Sequence, residues 1–304
     1  MKYPSLNCFN PVSIHDRDIV NSFTEKYGPQ SCEYSFGGLY AWSEIYGIKI
    51  CIYDDKLFIH DSSEDTLYVP LGDDVSSDYI KGLSKHYMSA GGSGCVAFIR
   101  PETLHEYRDA GFSIFSMEDE SEYIYSLEAL ASLKGGSFLK QRNLISWFRR
   151  HFPAYRFLTL EKSMVSECLG LLARWAAQKK DTDFEAMDEE KLVIEKVFAS
   201  FDEAGFEGFV IEIDGKISAF TVFSRLSEDC IVMHFTKFDR EIRGLFQTLF
   251  IEAANCLKQR YKYLNNEQDM GLPGLKYLKQ SYRPEMIYPC CCLMPQALIN
   301  QNPQ

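Results

Sequence analysis

The order of predicted elements repeats along the chain, and this repeat constrains the fold more than any other feature. Asp54-Asp55-Lys56 joins two apolar strand-like segments, and Asp214-Gly215 later joins another pair and is the strongest short hairpin signal in the chain. In both places a third strand, a helix, a strand, a helix and a final strand follow. Amphipathic helices are predicted between the two parts, over 137–150, 162–179 and 188–201. We therefore predict a tandem repeat of one α/β unit, with its boundary near 130–137.

The length of 304 residues is more than one domain usually needs, so two domains are expected, over 1–133 and 134–304. Each is predicted to be α/β (α+β by some schemes), with a mixed, mostly antiparallel sheet flanked by helices. Hydrophobic residues make up 46% of the chain, which is enough for well-formed cores.

No apolar run approaches the roughly 20 residues that a membrane-spanning helix needs. The first six residues, Met1 to Leu6, lack the continuous apolar segment of a signal peptide. We therefore expect a soluble protein of the cytoplasm without a transmembrane segment.

The cysteines are predicted to be free thiols rather than metal ligands. The chain has 10 cysteines and 6 histidines, with no Cys-x-x-Cys pair and no histidines at ligand spacing. The triplet Cys290-Cys291-Cys292 lies in an apolar segment and favours a final strand with thiols on both faces. We expect no metal site and no required cofactor.

The net charge of −11 argues against broad nucleic-acid binding, but the basic residues are unevenly distributed. The segment 134–156 holds six basic residues and no acidic ones, and 257–283 holds six basic and two acidic ones. If the two segments meet, they form a basic pocket on an acidic body, which suits a small anionic ligand. The alternative is a pair of solvated helix faces that never meet.

The segment 263–275 is unusually rich in hydrogen-bonding side chains for a strand-to-helix turn. Asn265, Glu267 and Asp269 alternate along an extended stretch, so they can project to one side. Glu267, or else Asp269, is a candidate general base for an amine or hydroxyl nucleophile, and Asn265 or Gln268 is a candidate to orient a carbonyl group. The alternative is that these side chains only satisfy loop backbone groups and cap the next helix.

A glycine pair, Gly135-Gly136, precedes a predicted helix with Ser137 as its N-cap. Lys140 and Asn143 share one face of this helix at a spacing of three residues, whereas Arg142 points elsewhere. Lys140 and Asn143 are therefore candidates to face a ligand pocket. The alternative is an ordinary amphipathic helix that packs through its aromatic and aliphatic residues.

The loop 239–246 leads from a strand into a helix, a position where backbone N–H groups can hold a pyrophosphate. Arg240, Arg243 and Gly244 are therefore candidate cofactor-binding residues. The spacing departs from the acyl-CoA pattern, because Arg240 precedes Gly244 by one residue too many and Phe246 replaces a small residue. Neither a Gly-x-Ser-x-Gly elbow nor a Walker A loop is present, and nothing in the sequence favours Ser–His–Asp catalysis.

Three blocks of the chain resemble the C-terminal domain of phosphatidylglycerol lysyltransferase, and the likeness spans most of the chain. The blocks are Leu39-Tyr40-Ala41-Trp42, then Lys140-Gln141-Arg142-Asn143, and then Asn265 to Gly271 with Gly274-Leu275-Lys276, Lys279, Ser281-Tyr282 and Pro284.

The resemblance implies two GNAT-like domains in tandem, related to the Fem-type aminoacyltransferases. Lysyltransferases of this kind move an aminoacyl group from charged tRNA to a lipid and use a large membrane domain. This sequence shows no such domain, so transfer to a lipid is not carried over. Acyl-CoA and aminoacyl-tRNA are the candidate donors, with tRNA only weakly supported by the acidic composition.

The leading hypothesis is an acyl- or aminoacyltransferase with its site between the two domains and an unidentified small or lipid-like acceptor. Glu267 is its preferred base. The rival hypothesis is a non-catalytic GNAT-like module that senses a small anion or an amino acid, and a structural partner protein is a third. The residues expected to bind the ligand are Lys140, Arg142, Asn143, Asn265, Gln268, Lys276, Lys279 and Tyr282.

Overall fold

The computed structural model describes residues 2–28, 31–107, 112–178 and 184–296. The strands in these residues are Asn10–Pro11 (β1), Lys49–Tyr53 (β2), Lys56–Asp61 (β3), Thr66–Tyr68 (β4), Cys95–Ala97 (β5), Phe112–Ser126 (β6), Arg156–Thr159 (β7), Glu207–Ile213 (β8), Lys216–Arg225 (β9), Cys230–Phe238 (β10), Tyr263–Gln268 (β11) and Met286–Pro295 (β12).

The helices flank the strands and begin and end at recognisable capping residues. At Phe36–Tyr46, for example, the Ser35 hydroxyl accepts a hydrogen bond from the Gly38 N–H, and Gly47 ends the helix in the left-handed conformation. The helices of the described ranges are Arg17–Tyr27 (α1), Phe36–Tyr46 (α2), Ser77–Ser89 (α3), Leu127–Ser132 (α4), Leu139–His151 (α5), Val165–Gln178 (α6), Phe184–Ala199 (α7), Leu245–Leu257 (α8) and Pro273–Ser281 (α9).

All the described strands form one sheet of twelve, in the order β1-β2-β3-β4-β5-β12-β6-β11-β10-β9-β8-β7. The β4–β5 and β10–β11 pairs are parallel and the other neighbours are antiparallel. The last strand, β12, lies between β5 and β6, so β6 in turn pairs with β11. The strand after each parallel pair therefore joins the two halves. β6 follows β4 and β5 and pairs with β11, and β12 follows β10 and β11 and pairs with β5.

Side chains alternate between the two faces of a strand, and β9 is buried on both of them. On β9, Phe220 and Val222 belong to a core shared with α2, α6 and α7. Ala219 and Phe223 face the opposite side, in cores shared with α5 and α8. This central strand therefore reads as a nearly continuous apolar run, as buried strands do.

The predicted fold class is confirmed: the chain is α/β, with a mixed, mostly antiparallel sheet flanked by helices. The sheet is single and continuous, however, where one sheet per half was expected. β6 is a single strand of 15 residues, and the end of the helix predicted to reach Lys179 lies outside the described residues. The division between 133 and 134 stays a prediction.

Candidate functional site

The end of β11 carries the partly exposed carboxylate of Glu267. β11 pairs with β10 only as far as Asn265, and its register with β6 shifts between Asn265 and Gln268. The shift places Glu267 at a φ of 55°, which is uncommon for a residue with a side chain. Oδ1 of Asn265 accepts a hydrogen bond from the Glu267 N–H at 2.9 Å and supports this conformation. The candidate base therefore lies on a bulge, a feature that redirects side chains.

Glu267 contacts a buried histidine on the neighbouring strand. Nδ1 of His234 lies 2.8 Å from Oε1 of Glu267, and Nε2 lies 2.7 Å from Oγ of Ser224 on β9. The His234 side chain is 1% exposed, whereas that of Glu267 is 27% exposed. Ser224 is enclosed by α2, because a Cβ at Gly37 would come within 2.2 Å of its Oγ. The serine therefore does not present a nucleophile to solvent, as a hydrolase triad would.

Glu122 of β6 is a second carboxylate of the site, and it is fully enclosed. It accepts hydrogen bonds from the Ser31 hydroxyl at 2.6 Å, the Cys32 N–H at 2.7 Å and Nδ2 of Asn265 at 2.5 Å. Burial raises the pKa of Glu122, while these donors favour its charged form and oppose the shift. Glu122 thus ties the segment before α2 to the end of β11.

Glu33 comes from the same segment before α2 and is the third carboxylate. Nε2 of Gln268 donates to Oε1 of Glu33 at 2.8 Å. Burial raises the pKa of Glu33 to about 8, and the negative charges of Glu122 and Glu267 add to the shift. A residue near the start of the chain therefore completes the site formed by β11.

Lys279 of α9 supports the bulge from below. Its Nζ donates to the carbonyl oxygens of Asn266 and Gln268, both at 2.5 Å. Burial lowers the pKa of Lys279 to about 8, against the attraction of Glu267. The predicted ligand-binding lysine is thus bonded to the backbone on either side of Glu267.

Asp269 is buried and anchors the turn into α9. It accepts hydrogen bonds from the Tyr123 hydroxyl at 2.5 Å and from the Gly271 N–H at 2.9 Å. Burial and the Asp269 charge both raise the pKa of Tyr123. These contacts match the alternative interpretation, in which the Asp269 side chain accepts hydrogen bonds from groups of the loop and its surroundings.

Tyr282, at the end of α9, lies in the core with its ring against Phe250 at a centroid separation of 4.9 Å. Its hydroxyl is buried and has no hydrogen-bond partner among the described residues. Nearby, Gln141 of α5 donates to the Ser281 carbonyl at 3.1 Å. The C-terminal end of α9 is therefore packed onto α5 and α8.

Two of the basic residues predicted to hold an anion, Lys140 and Arg142, have partners other than Glu267. Nζ of Lys140 lies 5.4 Å from the ring centre of Tyr277, an exposed residue of α9. Arg142 donates to the carbonyls of Leu133 and Gly135, both at 2.6 Å, and so caps the end of α4. Asn143 is exposed on α5 and Lys276 is half-buried on α9.

The loop before α8 is covered by α5. A Cβ at Gly244 would lie 2.3 Å from the Leu144 carbonyl oxygen, so the two backbones are in close contact. Arg240 stacks over Trp175 at 5.2 Å and Arg243 over Trp147 at 5.4 Å. Leu144 of α5 therefore packs against the start of this helix, and the assignment of Arg240, Arg243 and Gly244 to cofactor binding stays a prediction.

The titratable side chains around Glu267 are mostly carboxyl groups. Besides burial, the charges of Glu122 and Glu267 both raise the pKa of Glu33, so the three groups lie close together. The Lys279 ammonium beside them donates to carbonyl oxygens. A ligand group with a positive charge suits these surroundings better than a phosphate. The small anionic ligand expected from the basic segments stays a prediction.

Several residues of the site were not identified from the sequence. They lie on elements far apart in the chain, and they meet through the pairing of β9, β10, β11 and β6 and the packing of the segment before α2 against Glu122. His234 lies within the apolar segment of β10, and Glu122 lies next to Tyr123 in β6. A polar residue within an apolar or aromatic segment was the available signal in the sequence. The missed residues are Ser31, Cys32, Glu33, Glu122, Ser224 and His234.

In the described residues, no set of three or more His, Cys, Asp or Glu side chains is arranged to hold a metal ion. The cysteines there are free thiols, and Cys290, Cys291 and Cys292 lie within β12 as predicted. No helix in the described ranges combines the length and the apolar character needed to cross a bilayer.

Solved structures similar to this chain include one of nearly the same fold throughout. A conserved protein of unknown function from Bacteroides thetaiotaomicron is 26% identical, with a TM-score of 0.86, and the match covers 94% of this chain and 99% of that one. No protein of curated function matches by sequence.

Two further structures come from lysylphosphatidylglycerol synthetases. The C-terminal domain from Agrobacterium fabrum is 16% identical with a TM-score of 0.64, over 95% of this chain and 94% of that one. L-PGS from Bacillus licheniformis is 17% identical with a TM-score of 0.63, over 92% of each chain. At these identities the likeness shows the fold.

The family model for the C-terminal part of phosphatidylglycerol lysyltransferase matches residues 24–293, and its range includes all the site residues described above. The three blocks of resemblance in the sequence fall within the same range. The chain therefore belongs to the phosphatidylglycerol lysyltransferase C-terminal family, a family of aminoacyl- and acyltransferase-type domains.

Proposed function

We propose that this chain is an aminoacyltransferase, with Glu267 as the general base that activates an amine or hydroxyl acceptor. The observation that carries the proposal is the Glu267 carboxylate itself, which is partly exposed and held at a positive φ by Asn265 and His234. A fixed carboxylate with one oxygen free is suited to accept a proton from a nucleophile.

In the proposed reaction, the acceptor N–H or O–H gives its proton to Glu267 as the acceptor atom attacks the carbonyl carbon of the donor ester. The bond between that carbon and the ester oxygen then breaks, and the leaving oxygen takes up the proton. The amides of Asn265 and Gln268 are bonded to Glu122 and Glu33, so they position carboxylates rather than orient the carbonyl group.

The negative surroundings favour an aminoacyl group over a simple acyl group. An aminoacyl ester carries an ammonium group, which the carboxylate of Glu267 can attract. An acetyl group has no such charge, and the loop proposed for acyl-CoA is covered by α5 at Gly244. Aminoacyl-tRNA is therefore our preferred donor, and Lys140 and Lys276 on the outer surface are candidates to contact its phosphates.

A binding module that senses an amino acid is the second candidate, and the covered start of α8 favours it, since a donor-binding loop of the acyl-CoA type is closed there. The two functions are separated by ligand binding and by transfer. A free amino acid that raises the melting temperature, without transfer from any charged tRNA, would favour the sensor.

The test uses the purified chain, tRNA charged with radiolabelled amino acids, and separate panels of small-molecule and lipid acceptors. We expect label to move from tRNA to one acceptor class in the presence of the wild-type protein, and not with Glu267→Gln. Exposed Glu203 offers a matched control, because Glu203→Gln makes the same chemical change away from the site. Absence of transfer to every acceptor would contradict the transferase proposal.

A further inference from the structure

Ser224 and His234 form a buried hydrogen-bonded pair, and the His234 ring also contacts Glu267. The reaction proposed above gives neither residue a role. Their atoms lie 2.7 Å apart, and the other ring nitrogen of His234 is 2.8 Å from Glu267. A buried polar pair of this kind, next to a partly exposed carboxylate, calls for a physical explanation.

The surroundings of Ser224 restrict the direction of its hydroxyl. Gly37 of α2 packs directly against the Oγ, at a position where any side chain would overlap it. The Phe206 ring lies edge-on to the His234 ring at 5.9 Å and closes another side. The serine is therefore held facing Nε2 of the histidine.

We propose that His234 is a positioning residue for Glu267, with its tautomer set by the Glu267 carboxylate and its other ring nitrogen held by Ser224. Oε1 of a carboxylate can only accept a hydrogen bond, so the ring proton of the neutral imidazole resides on Nδ1, and the Ser224 O–H donates to Nε2. The Nδ1–H then donates to Oε1 of Glu267, which occupies that oxygen and leaves Oε2 free for a nucleophile. This role rests on the proposed function only for its catalytic consequence; the tautomer itself does not depend on it.

The tautomer is measured by NMR on the full chain with ¹⁵N-labelled histidine, with the signals of His234 identified by their loss in His234→Asn. At a pH at which the ring carries a single proton, we expect that proton on Nδ1. We expect Ser224→Ala to move the Nε2 signal and Glu267→Gln to move the Nδ1 signal. Ser218→Ala, a buried serine on the same strand, is the control and should change neither.

A neutral ring with its proton on Nε2 would overturn the tautomer assignment. An unchanged Nε2 signal in Ser224→Ala would overturn the role of the serine. These outcomes do not require turnover, so they separate this inference from the proposed function. If the tautomer is as inferred but Glu267→Gln transfers normally, the assignment of Glu267 as general base is wrong, while the tautomer assignment of His234 stands.

Once a transfer reaction is in hand, replacing the histidine gives a second readout. His234→Leu should lower kcat by about 10- to 100-fold with little change in KM, as removal of a supporting residue does. The side-chain N–H of Asn can replace Nδ1–H, so His234→Asn should recover much of this loss. Equal losses in the two variants would show a packing role alone and would contradict the proposal.

Discussion

At the scale of single residues, the site is held together by carboxylates that accept several donors each. Glu122 is the clearest case, because it is enclosed and three donors from two distant segments converge on it. Removing one member of such a set leaves the others buried and unpaired, which costs more than the bond itself contributed.

We expect Glu122→Leu to lower the free energy of unfolding by about 3 kcal/mol, since it leaves the Ser31 hydroxyl, the Cys32 N–H and the Asn265 amide without their acceptor. Urea denaturation followed by circular dichroism measures the change. Glu118→Leu on the exposed part of the same strand is the control, with an expected change within about 0.5 kcal/mol. Similar losses in both variants would contradict the anchoring role of Glu122.

The raised pKa of Glu33 predicts how the free energy of unfolding changes with pH. Its pKa is raised from 4.5 to about 8, so the folded state retains a proton that the unfolded state loses between these values. Stability contributed by this group is therefore present below about pH 4.5 and declines as the pH rises toward 8. The decline attributable to it has a maximum slope of about 1.4 kcal/mol per pH unit.

Glu33→Gln removes this titration and should flatten the curve of stability against pH between 5 and 8. Urea denaturation at several pH values gives that curve for both proteins. Parallel curves would show that Glu33 ionises normally in the folded protein.

At the scale of elements, the contact between α2 and β9 depends on a glycine. A Cβ at Gly37 would lie 2.2 Å from Oγ of Ser224 and 2.9 Å from the Phe206 ring, so neighbouring groups must shift. We expect Gly37→Ala to cost about 1–3 kcal/mol. Gly274→Ala in α9 enters open space and should be neutral or stabilising by up to about 1 kcal/mol. Thermal unfolding of the two variants compares them directly, and equal effects would contradict the close packing.

The elements themselves were largely predictable, and their neighbours were not. The predicted hairpin at Asp214-Gly215 is the turn between β8 and β9, because apolar periodicity and turn residues are local signals. The same holds for Glu267, which lies in a motif that is contiguous in sequence. Glu33 and Glu122 escaped prediction because their partners Gln268 and Asn265 lie more than 100 residues away in the chain, and spacing carries no information on such contacts.

At the scale of the whole molecule, the two halves share one sheet. β12 from the end of the chain lies between β5 and β6, so separating the halves leaves strand edges unpaired on both sides. We expect one cooperative thermal transition, with equal calorimetric and van't Hoff enthalpies. Fragments 1–133 and 134–304 should fold only when mixed. Two separate transitions, or a fragment that folds alone, would contradict this dependence.

The central claim is that Glu267 acts as a base in group transfer, and single-turnover transfer of a radiolabelled aminoacyl group tests it most directly. With the donor and acceptor identified, we predict that Glu267→Gln slows the transfer step by about 10²- to 10⁴-fold while donor binding is retained. Glu203→Gln should transfer at the wild-type rate. A Glu267→Gln protein that transfers as fast as the wild type would contradict the account.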